Sequence, residues 1–146
     1  LARYTVLKPD GDEAAYPQVL LPFDSMRLWA GPVGNTPFVM KTVEDTVLKE
    51  DDVLVEVNPD TAKALGLKNG GRAILSTPGG EARVRIYAYE GIMPGLVAMP
   101  RGLGHTANDR FLAGKGVNVN SLMGPVEDPA TGYNAVWGIR AKLTKA

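Results

Sequence analysis

Two glycine-containing segments, residues 24–35 and 101–132, carry side chains that could bind a polar ligand. Neither shows the periodicity of a helix or a strand, and long loops of this kind more often have a function than short ones. Their glycines let a ligand approach the backbone closely, and their amide, hydroxyl and guanidinium groups can recognise polar edges. The chemistry that these residue types favour is therefore ligand binding.

Asn118 and Asn120 stand two residues apart in the second segment. On an extended segment, this spacing places both carboxamides on one side. Each carboxamide offers two donors and an acceptor, which suits a heterocycle that carries both. Asparagines in loops are also common turn formers that bond to their own backbone, and composition alone favours that role. Both interpretations stay open at this point.

His105 is the only histidine, and it makes a poor centre for catalysis. A metal site needs three or four ligands, and the chain has no second histidine and no cysteine. A Ser-His-Asp set could combine Ser25 or Ser121 with His105 and with Asp109 or Asp128. No Gly-x-Ser-x-Gly motif supports such a hydrolase. We interpret His105 as a hydrogen-bonded loop residue.

The elements that must position these loops are mostly strands. Alternation over 53–57 predicts a half-buried strand. Asn58-Pro59-Asp60 then predicts a helix start, since asparagine caps well, proline suits the first position and aspartate complements the dipole. Gly66 can end that helix, and Asn69-Gly70 has the form of a hairpin turn.

Further strands are predicted on both sides of this unit. Residues 72–77 and 81–89 flank Pro78-Gly79-Gly80 as a hairpin, and shorter apolar runs at 18–21, 96–99 and 135–143 have strand character. Residues 42–50 could form one or two helical turns. The expected architecture is a small, mainly β barrel with one or a few short helices.

Composition narrows the class of protein. The chain has 146 residues, 45% of them hydrophobic and 22% charged, which fits one globular domain and excludes disorder. We expect a peripheral arm at 1–16 and the domain at 17–146. A formal net charge of zero argues against a nucleic-acid partner. No apolar run reaches the roughly 20 residues of a membrane-spanning helix, so we expect no direct membrane insertion.

Absence of cysteine excludes disulfides, thiolate zinc sites and iron–sulfur ligation within these 146 residues. The chain begins with Leu1 and shows no export signal, so we expect it to be a processed or excised part of a longer protein.

Five segments in order resemble one known family. They are VEVNPDTAKALGLKNGG at 55–71, ILSTPGG at 74–80, MPGLV at 93–97, NVN at 118–120 and DPATG at 128–132. This arrangement resembles the C-terminal molybdopterin-dinucleotide-binding domain of the dimethyl sulfoxide reductase family, over roughly residues 17–145. The resemblance implies a double-psi β-barrel.

The resemblance also implies a function. The chain would cap molybdopterin guanine dinucleotide in the catalytic subunit of an oxidoreductase, similar to polysulfide or thiosulfate reductases, and would not be catalytic alone. Other domains would hold the molybdenum or tungsten. An alternative is a non-catalytic scaffold subunit of a membrane quinone-linked complex that keeps the fold without the cofactor.

The implied partners are the remaining domains of the parent subunit, with iron–sulfur and membrane-anchor subunits. The implied location is the prokaryotic periplasm or cytoplasm, as part of a membrane-associated complex.

Cofactor-binding residues follow from matching the family's segments to this sequence. Arg27 would suit a phosphate or pterin oxygen, because a guanidinium binds two oxygens at once. The full set of implied cofactor-binding residues is Ser25, Arg27, Trp29, Asn35, Gly104, His105, Asn118, Asn120, Gly132 and Tyr133.

Overall fold

Strands are the main regular elements of the computed structural model, which describes residues 8–28, 38, 41–43, 45–106, 113–134 and 138–146. The elements with both bounds inside these ranges are seven strands, an α-helix and a 3-10 helix. They are β1 (Gln18–Phe23), β2 (Leu48–Lys49), β3 (Asp52–Val57), α1 (Pro59–Ala64), β4 (Arg72–Thr77), β5 (Gly80–Ala88), β6 (Leu96–Pro100), the 3-10 helix (Val119–Leu122) and β7 (Ile139–Lys145).

Six of these strands close into a barrel in the order β3-β5-β4-β7-β1-β6, with β6 returning to pair with β3. The pairs β1–β6 and β3–β5 are parallel, and the other pairs around the ring are antiparallel. The short β2 pairs with β3 outside the ring. This architecture confirms the mainly β, double-psi β-barrel that the sequence indicated.

Strand directions give the barrel two distinct ends. Strands β1, β4 and β6 finish together, at Phe23, Thr77 and Pro100, where β3, β5 and β7 begin. We call this the loop end. Strands β3 and β5 finish at the opposite end, at Val57 and Ala88. The segments that follow β1 and β6, and the β4–β5 turn, all belong to the loop end.

The barrel interior is formed by the apolar positions that alternate along the strands. Val53, Val55 and Val57 of β3 are fully buried, as are Val84 and Ile86 of β5. In β5 the residues between these positions are at least partly exposed, since each strand presents successive side chains to opposite faces. In β3, however, Leu54 is also buried, at 4% exposure, so the alternation read from the sequence is confirmed at β5 and only in part at β3.

Helix α1 begins as its sequence predicts. Asn58 Oδ1 accepts a hydrogen bond from the Asp60 N–H at 2.9 Å, and proline occupies the first turn. The same asparagine donates through Nδ2 to the Ile92 carbonyl at 2.9 Å. One side chain therefore caps α1 and ties it to the segment before β6. Gly66, with a φ of 66°, follows the helix in the left-handed conformation.

Two local predictions are wrong. The described part of 42–50 contains turns and β2 instead of helical turns, because Leu48 pairs with Val53 at the edge of the barrel. Glu50, with a φ of 59°, lies in the reversal between the two strands. Asn69-Gly70 forms a turn but joins α1 to β4 instead of two strands. Its Asn69 Oδ1 accepts the Ala88 N–H at 2.9 Å.

The described end of the predicted arm contacts the barrel. Asp10 forms a parallel bridge with Ile139, and its carbonyl accepts the Arg140 N–H at 2.9 Å. Glu13 pairs with the Arg140 guanidinium at 2.7 Å. These contacts attach residues 10–13 to β7, while the domain boundary near residue 17 stays a prediction.

Candidate functional site

The segment after β1 makes a tight turn at the loop end. Ser25 is buried, its Oγ accepts the Arg27 N–H at 3.3 Å, and its carbonyl accepts the Leu28 N–H at 3.1 Å. Leu28 is fully buried, whereas Arg27 is exposed. The turn therefore anchors one apolar residue and leaves a guanidinium at the surface. Trp29 and Asn35 lie outside the described residues.

An ion pair fixes this turn against the segment after β6. Arg101 Nε and Nη2 donate to the two carboxylate oxygens of Asp24 at 2.8 and 2.6 Å. The Arg101 N–H also donates to the Phe23 carbonyl at 2.9 Å. Because β1 and β6 are parallel, both loops leave the barrel side by side.

Gly104 lies against the segment that carries the asparagines. Its φ is +80°, and a Cβ at this position would lie 2.0 Å from the Asn118 backbone nitrogen. Its N–H donates to the Lys115 carbonyl at 2.9 Å, and the His105 carbonyl accepts the Gly114 N–H at 3.2 Å. Gly104 thus permits close approach of another part of the chain. The His105 side chain is exposed.

Asn118 and Asn120 do not present their carboxamides together on an extended segment. Asn118 caps the 3-10 helix, where its Oδ1 accepts the Asn120 N–H at 3.1 Å. Asn118 therefore forms a turn through its Oδ1, while its binding to the cofactor stays a prediction. Asn120 lies within the helix and is exposed. Asn120 lines a surface pocket of the described residues.

That pocket has a volume of about 350 Å³, and its lining is more polar than apolar. It is lined by Asn120, Met123, Gly124, Pro125 and Asn134. A pocket of this size lies at the small end of the range for organic ligands. Two of the lining residues carry carboxamides, which can donate to and accept from the polar edge of a heterocycle.

Asn134 was missed by the sequence reasoning. It is brought to the pocket by a turn over 128–133, and it bridges back to Glu127. Nothing in the local sequence distinguishes it from an ordinary loop asparagine. The only signal was its position two residues after Gly132, in the segment already linked to the family.

The 128–133 turn is held by its own side chains. The Asp128 carboxylate accepts the Ala130 N–H at 2.9 Å and the Thr131 hydroxyl at 2.8 Å. These hydrogen bonds, that from Ala130 foremost, hold the pKa of Asp128 below its ordinary value. Gly132 completes the turn with a φ of 70°, and the Tyr133 side chain is 79% exposed. Tyr133 is therefore available to a ligand or to another domain.

The hydroxyls considered for a hydrolase are engaged elsewhere. The Ser121 hydroxyl donates to the Asn118 carbonyl at 2.7 Å, and Ser25 Oγ serves the turn after β1. The Asp128 carboxylate is bonded within its own turn. Asp109 lies outside the described residues. The geometry gives no support to nucleophilic catalysis.

The described ranges hold neither a metal-ligand cluster nor a membrane-spanning helix. They contain no cluster of three or more His, Cys, Asp or Glu residues that could hold a metal ion. No helix within them is long and apolar enough to span a membrane.

Comparison with known proteins agrees with the sequence resemblance. A family described as "Molydopterin dinucleotide binding domain" matches residues 34–138. The menaquinone reductase molybdopterin-binding-like subunit of Nitratidesulfovibrio vulgaris is 39% identical over 133 residues, which are 90% of this chain and 19% of that protein. The arsenate respiratory reductase molybdopterin-containing subunit of Shewanella sp. strain ANA-3 is 31% identical over 92% of this chain and 17% of its own length.

The fold agrees as well. Acetylene hydratase from Pelobacter acetylenicus superposes with a TM-score of 0.74, covering 97% of this chain and 21% of that one at 18% identity. This chain therefore spans about a fifth of the length of the proteins it matches. The family match covers well over half of the residues. The chain belongs to the molybdopterin-dinucleotide-binding domains of the dimethyl sulfoxide reductase family, whose cofactor is molybdopterin guanine dinucleotide.

Proposed function

We propose that this chain is the capping domain that holds the dinucleotide part of molybdopterin guanine dinucleotide in the catalytic subunit of a respiratory reductase. The observation that carries the proposal is the pocket that Asn120 and Asn134 line together. An edge with both donors and acceptors, such as that of guanine, is the partner that two carboxamides recognise.

Other residues would hold the remaining parts of the cofactor. Arg27, exposed after β1, would bind a phosphate oxygen, with the turn at Ser25 holding its backbone in place. Gly132 and Tyr133 would border the same ligand. Gly104, His105 and Asn118 are also proposed to contact it, and the lack of a side chain at Gly104 lets its segment pass close to Asn118. Trp29 and Asn35 remain part of the proposed set.

The chain's own contribution is binding, orientation and exclusion of water. The cofactor supplies the redox chemistry, and its metal would be held by other domains of the parent subunit. Because the chain covers about a fifth of its relatives, the rest of that subunit is its first partner. Iron–sulfur and membrane-anchor subunits complete the proposed complex.

The substrate belongs to the parent subunit. The relatives are named as menaquinone and arsenate reductases, which supports a respiratory reductase in general. Reduction of polysulfide or thiosulfate remains the finer proposal within that class.

A second function is favoured by one observation. The 39% identical relative is named as a molybdopterin-binding-like subunit of a menaquinone reductase. That name supports a scaffold subunit of a quinone-linked complex that keeps the barrel without the cofactor.

The two functions differ in cofactor content. The full-length parent subunit would be purified from its native host, a denatured sample oxidised to its fluorescent pterin product, and molybdenum and tungsten counted in parallel. The capping function predicts pterin and metal at near-stoichiometric levels. A folded, assembled subunit with neither would contradict it and support the scaffold.

A further inference from the structure

The hydroxyl of Thr77 joins the β4–β5 turn to the 3-10 helix. Thr77 is 4% exposed, and its Oγ1 donates to the Leu122 carbonyl at 2.6 Å. The same oxygen accepts the N–H groups of Gly79 and Gly80, both at 3.2 Å. The hydroxyl therefore has partners for its proton and for its lone pairs, and all of them belong to these two elements.

The Leu122 carbonyl needs such a partner. It lies in the last turn of the 3-10 helix, where carbonyl groups lack a hydrogen bond inside the helix. The Leu122 side chain is 1% exposed, so the helix end lies against the core. An unsatisfied carbonyl there would carry a desolvation cost.

Gly79 brings the turn against the same peptide group. A Cβ on Gly79 would lie 3.0 Å from the Leu122 carbonyl oxygen and 3.2 Å from its carbon. The absence of a side chain at Gly79 therefore allows this close approach. Two independent features, the Thr77 hydroxyl and the absence of a side chain at Gly79, hold the helix end against the β4–β5 turn.

We infer that Thr77 is a positioning residue for the cofactor pocket, an inference that rests on the proposed function. Leu122 lies two residues after Asn120 and directly before Met123, and both of these line the pocket. By holding the helix end, the Thr77 hydroxyl sets where the Asn120 amide meets a ligand. Thr77 itself does not line the pocket.

The test uses the full-length parent subunit with Thr77→Val, which keeps the shape of the side chain and removes the hydroxyl. We expect the pterin to be lost up to about tenfold faster on dilution. Without the hydroxyl the helix end can shift by giving up a bond worth roughly that factor, and a weakened site shows mainly in the dissociation rate. Hydrogen exchange at the Met123 amide, which bonds to the Asn120 carbonyl at 3.4 Å, should also accelerate. Thr77→Ser, which keeps the hydroxyl, should leave both the rate of pterin loss and the rate of Met123 exchange close to those of the wild type.

Two matched variants separate positioning from general destabilisation. Ser76→Ala removes a hydroxyl of the same strand that bonds to Glu81 at 2.8 Å, and it should retain pterin as wild type does. Val57→Ala creates a cavity at the opposite end of the barrel, so it should lower the unfolding midpoint without faster pterin loss. Equal loss in Val57→Ala and Thr77→Val, at similar midpoints, would overturn the inference.

Gly79→Ala is a second variant in case Thr77→Val does not fold. Its added methyl should displace the helix end and accelerate both pterin loss and Met123 exchange. If the wild-type subunit holds pterin and both variants retain it, the inference is overturned, whereas the capping function is not. A wild-type subunit without pterin would overturn both, and would be recognised before any variant is compared.

Discussion

The Asp24 carboxylate and the Arg101 guanidinium form a two-point ion pair, with distances of 2.8 and 2.6 Å. The two residues follow the parallel strands β1 and β6 and are 77 positions apart in sequence. Their side chains are 41% and 37% exposed, so the pair adds little to stability. The ion pair therefore holds the start of the segment after β1 against the start of the segment after β6.

Asp24→Asn should therefore lower cofactor binding at the loop end more than it lowers the stability of the barrel. We expect the free energy of unfolding of the chain to fall by only about 0.5–1 kcal/mol, the range for exposed pairs with good geometry. The parent subunit should nevertheless hold less pterin, because the turn at Ser25–Arg27 loses its tie to β6. Chemical denaturation and pterin fluorescence would measure the two effects. Glu13→Gln, which breaks the pair with Arg140 on β7, is the control and should leave pterin unchanged; an equal loss there would refute this role of Asp24.

Gly104→Ala should be far more damaging than Gly114→Ala. Both glycines have almost the same φ, +80° and +79°, so both substitutions carry the cost of a left-handed conformation, about 1–2 kcal/mol. Only at Gly104 would the new Cβ collide with backbone, 2.0 Å from the Asn118 nitrogen, whereas nothing lies within 4 Å at Gly114. Overpacking adds about 1–3 kcal/mol. Unfolding of the two variants would measure the difference, and equal destabilisation would show that the two segments do not meet as described.

These two glycines also show what the sequence could predict. The resemblance placed Gly104 in a loop of the site, but its contact with Asn118 depends on the path of the chain through the barrel. Local patterns with one physical cause were predicted well, as with the Asn58 cap and the alternation of β5. Asn134 was missed because the 128–133 turn brings it beside Asn120, 14 positions earlier in sequence. The short β2 was missed because pairing with β3 outweighs its weak local preference.

Asp52 should make the chain lose stability in acid. Burial acts to raise its pKa, but hydrogen bonds from Arg72 and Arg85, both at 2.9 Å, and their charges outweigh it and hold the pKa below the usual value of 3.8. A lowered pKa in the folded state means that the unfolded state binds the proton more tightly. The stabilisation is therefore complete above about pH 4 and is lost as the pH falls through the folded-state pKa.

Asp52→Asn should flatten that acid dependence. The free energy of unfolding would be measured by denaturant titration at several pH values below about 5, and the variant should show a shallower decline than wild type. Asp51→Asn, a change at the exposed neighbouring residue, is the control and should keep the wild-type slope. Identical slopes for all three proteins would contradict the assignment to Asp52.

The central claim is that the loop end holds the dinucleotide through Asn120 and Asn134. The most direct measurement is the pterin content of the full-length parent subunit carrying Asn120→Ala together with Asn134→Ala. Asn69→Ala is the comparison, since Asn69 bonds to Ala88 at the opposite end of the barrel. Each lost hydrogen bond weakens binding by roughly tenfold, so the double variant should retain far less pterin than wild type, while Asn69→Ala retains a wild-type amount. Equal pterin in the double variant and the wild type would contradict the claim.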